Sequence, residues 1–238
     1  MPMFTRLITI ARCVLVAAGG WVATANADPY VSLSYGNALN ATETITIEPD
    51  EDAHYEPITF EADFESRGLK LPPFYSFKLG WSYEPRQWRW EVELLHQKLH
   101  VPDEDLPPQL EHFEVTHGFN LFLFNLSHPL PNHDLRARLG VGTILAHPDI
   151  YIYDENGDPQ LADPDKFGEI PGFLDDRYFF GGYALQGAVQ KHWALSPRNG
   201  LVAELKLMHA KTRLPVYRGE VDVPNTAIAF LLGYEFGG

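Results

Sequence analysis

The chain has 238 residues, with 32 Asp and Glu against 18 Lys and Arg and a formal net charge of −14. Such acidity excludes nucleic acid as a partner, because a phosphate backbone is bound by basic surfaces. The single cysteine, Cys13, excludes a disulfide framework, and the length suits one all-β domain.

In chain order, the first element is a leader. Arg6 and Arg12 precede an apolar run, Cys13 to Ala18, that ends near Ala25-Asn26-Ala27. Basic start, short apolar centre and small residues at the end make a signal peptide over 1–27, cut before Asp28. The run is well short of the ~20 residues that a membrane-spanning helix needs. Removing 1–27 takes away both arginines and no acid, leaving 16 basic residues against 32 acidic. No later stretch is long and apolar enough for a membrane helix. Entry into a membrane therefore requires a closed barrel over 28–238, the other form that satisfies every backbone hydrogen bond in lipid.

The remaining chain alternates with period 2, the signature of strands with two unlike faces. The first strand begins at Tyr30-Val31-Ser32-Leu33. The second runs near 74–83, with Phe77, Leu79 and Trp81 against Ser76, Lys78 and Gly80. In the third, Trp88, Trp90, Val92 and Leu94 alternate with Arg89, Glu91 and Glu93. The fourth, near 113–127, is read with Phe119, Leu121 and Leu123 outward, although Leu121-Phe122-Leu123-Phe124 is apolar on both parities. The fifth (135–147), sixth (177–192), seventh (201–211) and eighth (226–236) follow, the seventh setting Leu201, Leu205 and Leu207 against Glu204 and Lys206.

Short connections at 84–87, 129–133 and 195–200 alternate with long ones at 37–72, 101–112, 148–175 and 214–224. Short periplasmic turns and long external loops are the habit of outer-membrane barrels. The expected fold is thus all-β, an eight-stranded antiparallel up-and-down transmembrane barrel in the bacterial outer membrane, with a monomer favoured. A bore of that size is filled by side chains. Lys78, Arg89, Glu91, Glu93, Arg136, Arg138, Glu204 and Lys206 are the expected filling, with both signs present so that they can pair.

Following the outward parity past the apolar band leads to His96 and Lys98, His117, His147, and His209 and Lys211, all near external strand ends. On adjacent strands, His96, His117 and His147 make a candidate site for a divalent metal with an open position. The plainer reading is a set of interfacial anchors. Glu93 falls on the inward parity, and Asn120 is placed inward by the same rule.

Several stretches in order resemble the lipid A oxidase family of outer-membrane barrels. They are Lys70-Leu71-Pro72-Pro73-Phe74-Tyr75, Glu93-Leu94-Leu95-His96-Gln97-Lys98, Thr116-His117-Gly118-Phe119-Asn120-Leu121, Gly182-Tyr183-Ala184-Leu185-Gln186-Gly187 and Glu204-Leu205-Lys206. The resemblance covers the chain from about residue 68 onward. It implies oxidation of the proximal glucosamine of lipid A by dioxygen, assisted by a divalent metal ion. On that reading His96, His117 and Glu93 are catalytic, and His96, His117 and His147 hold the metal. Lys98, Asn120 and Lys211 bind the lipopolysaccharide. The loop 214–224 and His209 depart from the family pattern. The alternative is a non-enzymatic outer-membrane barrel, structural or surface-interacting, with acidic external loops.

Overall fold

The computed structural model describes residues 27–68, 70–83, 88–131, 133–163, 166 and 177–237, with the backbone alone at 27, 83, 116 and 117. The predicted leader and the turn at 84–87 lie outside the described residues, apart from Ala27, which begins the first strand.

The strands are β1 (Ala27–Asn40), β2 (Thr42–Pro49), β3 (Ile58–Asp63), β4 (Tyr75–Tyr83), β5 (Trp88–His100), β6 (Leu110–Pro129), β7 (Leu135–Tyr153), β8 (Pro159–Gln160), β9 (Phe179–Ser196), β10 (Asn199–Val216) and β11 (Gly219–Gly237). Eight of them, β1, β4, β5, β6, β7, β9, β10 and β11, lie side by side in chain order. All neighbours are antiparallel. β11 pairs back onto β1 from Tyr30↔Gly237 to Asn40↔Ala227, which closes the cylinder and removes its edges.

Alternation then sorts the side chains. Leu205 is 55 % exposed while the next residue, Lys206, is 0 % exposed. Trp81, Trp90, Val92, Phe124, Val141, Leu185 and Phe230 stand outward around the same belt. A continuous apolar belt outside and charge inside inverts the arrangement of a water-soluble barrel, so hydrocarbon must cover the belt. No helix among the described residues is long and apolar enough to cross a membrane. The spanning is done by strands, and the chain is an outer-membrane β-barrel.

Above the belt the faces exchange polarity. On β10 the outward series Leu201, Leu205, Leu207 gives way to His209, Lys211 and Arg213, and the inward series Glu204, Lys206 gives way to Met208, Ala210, Leu214 and Val216. These inward residues join Val221, Val223, Phe113, Leu99, Ile150 and Ile152 in an apolar core that sits on the charged bore. β1 and β4 stop short of this upper storey. The hairpin of β2 and β3 takes over their part of the wall: β2 pairs with β11 over Thr46–Pro49, and Glu65 pairs with His100 at the top of β5. Ile45 and Ile47 of β2 are wholly buried there.

The structure corrects the sequence reading at several points. Leu121 and Leu123 are 1 % and 2 % exposed and point inward, whereas Phe122 and Phe124 face the lipid. Leu121 pairs with inward Leu95, and Asn120 pairs with outward His96, so Asn120 lies on the outer face and not in the bore. The cause is compositional: the bore is already turning apolar at that height, so hydrophobicity no longer tells the faces apart. The expected loop 37–72 contains the β2–β3 hairpin, and the expected loop 214–224 is a tight turn at Tyr217-Arg218 between long strands.

Candidate functional site at the upper rim of the belt

Two places concentrate polar chemistry. The first is the bore. Arg138 grips Glu91 through Nε and Nη2, the latter at 2.8 Å, and the Tyr30 hydroxyl donates to the same carboxylate. Glu204 takes Lys78 Nζ at 2.5 Å and pairs with Arg138. Glu93 accepts from Lys206 Nζ at 2.5 Å, Ser76 Oγ at 2.5 Å, Gln186 Nε2 at 2.6 Å and Asn125 Nδ2 at 2.8 Å. Three cations thus meet three carboxylates in a network that joins β4, β5, β7 and β10 across the lumen. Such fully partnered charge is a structural filling. Glu93, predicted as catalytic, belongs to this filling. It lies on the opposite face of β5 from His96.

The second place is the outer wall just above the belt, where β5 and β6 carry their histidines. Its first feature is a bulge. β5 and β6 keep register down to Gln97↔Phe119 and then resume at Leu99↔Val115, so β6 carries two extra residues. β7 sees the same step between Ala146↔Phe119 and Pro148↔Val115. Gly118 makes the bulge possible: its φ is 124°, and a side chain there would collide with the Asn120 amide.

The bulge sets Asn120 between its neighbours. Asn120 Nδ2 donates to the Leu145 carbonyl at 3.2 Å, which turns Oδ1 toward His96 Nδ1 at 2.8 Å. An amide oxygen only accepts, so Nδ1 carries the proton and Nε2 carries the lone pair. Tyr75 stacks on the imidazole with ring centroids 5.0 Å apart. His96 Nε2 is buried and has no hydrogen-bond partner among the described residues.

The predicted trio is therefore brought together in part. The backbone places His117 in the bulge, opposite His147 on β7 and beside the upper end of β5; its side chain lies outside the described residues. His147 is buried and meets Tyr178 edge-on at 4.9 Å. The predicted lipid-binding lysines are engaged elsewhere. Lys98 Nζ donates to the Leu71 carbonyl at 2.9 Å. Lys211, on β10, is separated from β7 by β9 and pairs with Asp222 at 2.9 Å.

A few residues further up the same wall is a group that the sequence reading missed. His100 on β5 faces His112 and Glu114 on β6, and one ligand atom from each lies within 4.8 Å of the others. His112 Nε2 is 3.3 Å and His100 Nδ1 3.6 Å from Glu114 Oε2. Arg67, on the segment after β3, approaches Glu114 Oε1 at 3.9 Å. Burial lowers the pKa of His100 from its ordinary value, and the Arg67 charge adds to the effect, so the neutral imidazole is favoured. The signal was present as His112-Phe113-Glu114, alternate residues on one strand face. The polar, proline-rich composition of 101–112, which predicts a loop, masks it.

No protein-family model matches the sequence, nor does any curated protein. Among the solved structures similar to it in outline are the following three. Neisserial surface protein A is 8 % identical, with 88 % of this chain and 96 % of that one covered and a TM-score of 0.34. Ail, the attachment invasion locus protein of Yersinia pestis, solved with the heparin analogue sucrose octasulfate, is 8 % identical over 90 % of this chain and 99 % of that one, with a TM-score of 0.36. The outer membrane protein OprG from Pseudomonas aeruginosa is 12 % identical over 90 % and 96 %, with a TM-score of 0.39.

Proposed function

We propose that this outer-membrane barrel acts at the cell surface, from its outer wall and its upper storey, as a non-enzymatic interaction protein. The observation that carries the reading is the filled bore. A lumen crossed by the Glu91–Arg138–Glu204–Lys78 chain and capped by an apolar core leaves no aqueous route for a solute. The ordered structure above the membrane is instead spent on an exposed wall rich in carboxylates, among them Glu48, Asp50, Glu220 and Asp222 around β2 and β11. Lipopolysaccharide headgroups are the nearest partner, reached through shared divalent cations, which would offset the like charges.

A second reading is oxidation of the lipid A proximal glucosamine, with dioxygen as acceptor and a divalent metal bound by the rim histidines. The Nε2 of buried His96, with no hydrogen-bond partner among the described residues, and the bulge that draws the His117 backbone down to the level of Lys98, the next outward position above His96, favour it. One experiment separates the two: mass spectrometry of lipid A from cells with and without the protein. The surface-interaction reading expects identical spectra. A gain of one oxygen, lost with His117→Ala, would establish the oxidase reading instead. Unitary conductance steps in planar bilayers would overturn the surface-interaction reading, which rests on the filled bore.

A further inference from the structure

We propose that His100, His112 and Glu114 form a binding site for one first-row divalent transition-metal ion on the outer wall of the upper storey. The inference goes beyond the surface-interaction reading and does not depend on lipid A chemistry.

Two imidazoles and one carboxylate, all from paired ends of β5 and β6, make the donor set. The strands fix it. His100 and Glu114 are direct cross-strand partners, and His112 stands two residues from Glu114 on the same face. Around an ion with ligand bonds of ~2.1 Å, neighbouring donor atoms are about 3.0–3.4 Å apart. The His112–Glu114 separation of 3.3 Å already has this value, and the His100–Glu114 separation of 3.6 Å is close to it.

His100 is 5 % exposed, and its Nδ1 points into the group with no hydrogen-bond partner among the described residues. A buried donor atom left in this way is costly unless a ligand uses it. The other interpretation is a plain histidine–carboxylate contact. It leaves His100 Nδ1 without a hydrogen bond, while Glu114 already has a cationic neighbour in Arg67, which Glu65 shares at 3.4 Å. The nitrogen majority selects against calcium and magnesium, which take oxygen donors. Three protein ligands leave coordination positions open on the side of half-exposed His112.

The test uses the untagged mature barrel, refolded in detergent and stripped with chelator. Titration calorimetry with Zn²⁺ and Co²⁺ is expected to show one equivalent bound, unaffected by millimolar Ca²⁺ or Mg²⁺. Glu114→Gln and His112→Ala are expected to weaken binding tenfold or more. Because His112 is partly exposed, its replacement leaves the fold intact, as checked by heat-modifiable migration on gels. Arg67→Ala is expected to tighten binding by removing the competing charge. Binding that is equal in wild type and His112→Ala, no stoichiometric uptake of either ion, or displacement by Ca²⁺ would each overturn the site.

Discussion

The lower and upper halves of β10 are one strand with one register, yet they obey opposite rules. From Ala203 to Leu207 the outward side chains are apolar and the inward pair, Glu204 and Lys206, charged; above it the outward His209, Lys211 and Arg213 are polar and the inward side chains, Thr212 apart, apolar. No bulge or break on the β10–β11 ladder accompanies the change. Period-2 alternation therefore reports a strand, but the surrounding solvent decides which parity is the inside. Lipid demands an apolar outer face, and water demands an apolar inner one.

The comparison can be broken most forcefully in the bore. Glu204→Ala leaves Lys78 and Arg138 short of counter-charge in a sealed lumen and is expected to cost about 3–5 kcal/mol, read from urea unfolding in lipid vesicles. On the lipid face, Leu205→Arg, just inside the hydrocarbon edge, is expected to cost about 1–2 kcal/mol by the same measurement. In the upper core, Ile47→Val removes one methyl group and should cost about 1 kcal/mol. It should appear as faster amide exchange in the β2–β3 hairpin while the belt strands stay protected. The smallest effect is expected at Arg213→Leu, on the same strand and face as Leu205 but in water. It loses surface pairs with Glu48 and Glu220 and should change stability by less than about 0.5 kcal/mol. If Arg213→Leu and Leu205→Arg shifted stability equally, the division into two solvents would be wrong.

Legibility in the sequence followed the same boundary. β4, β5, β7 and β10 are legible where Lys78, Glu91, Glu93, Arg138, Glu204 and Lys206 mark the inward parity against lipid-facing neighbours. β6 was misread at Leu121 and Leu123, because an inward leucine beneath an apolar core looks like an outward leucine against lipid. Beyond the belt the strand ends carry no such mark and have the composition of loops. Val221 and Val223 carry the apolar parity that would be inward, with Glu220 and Asp222 outward, and this exchange hid the continuation of β11. His112 and Glu114 were lost for that reason too. His96 was placed correctly by parity. Its contact with Asn120 was not foreseen, since a side-chain pair across two strands requires the register that the sequence left open.

The unbroken run of β10 and β11 past the belt has a consequence for reach. About ten residues separate Leu207 from the turn at Tyr217-Arg218. At ~3.3 Å per residue and a tilt of ~40°, they raise that turn about 25 Å above the edge of the hydrocarbon. Because the rise is built from the same backbone ladders that cross the bilayer, it behaves as a stiff mast and not as a tether. Whatever the tip contacts is met at a fixed height, beyond the phosphates of the leaflet.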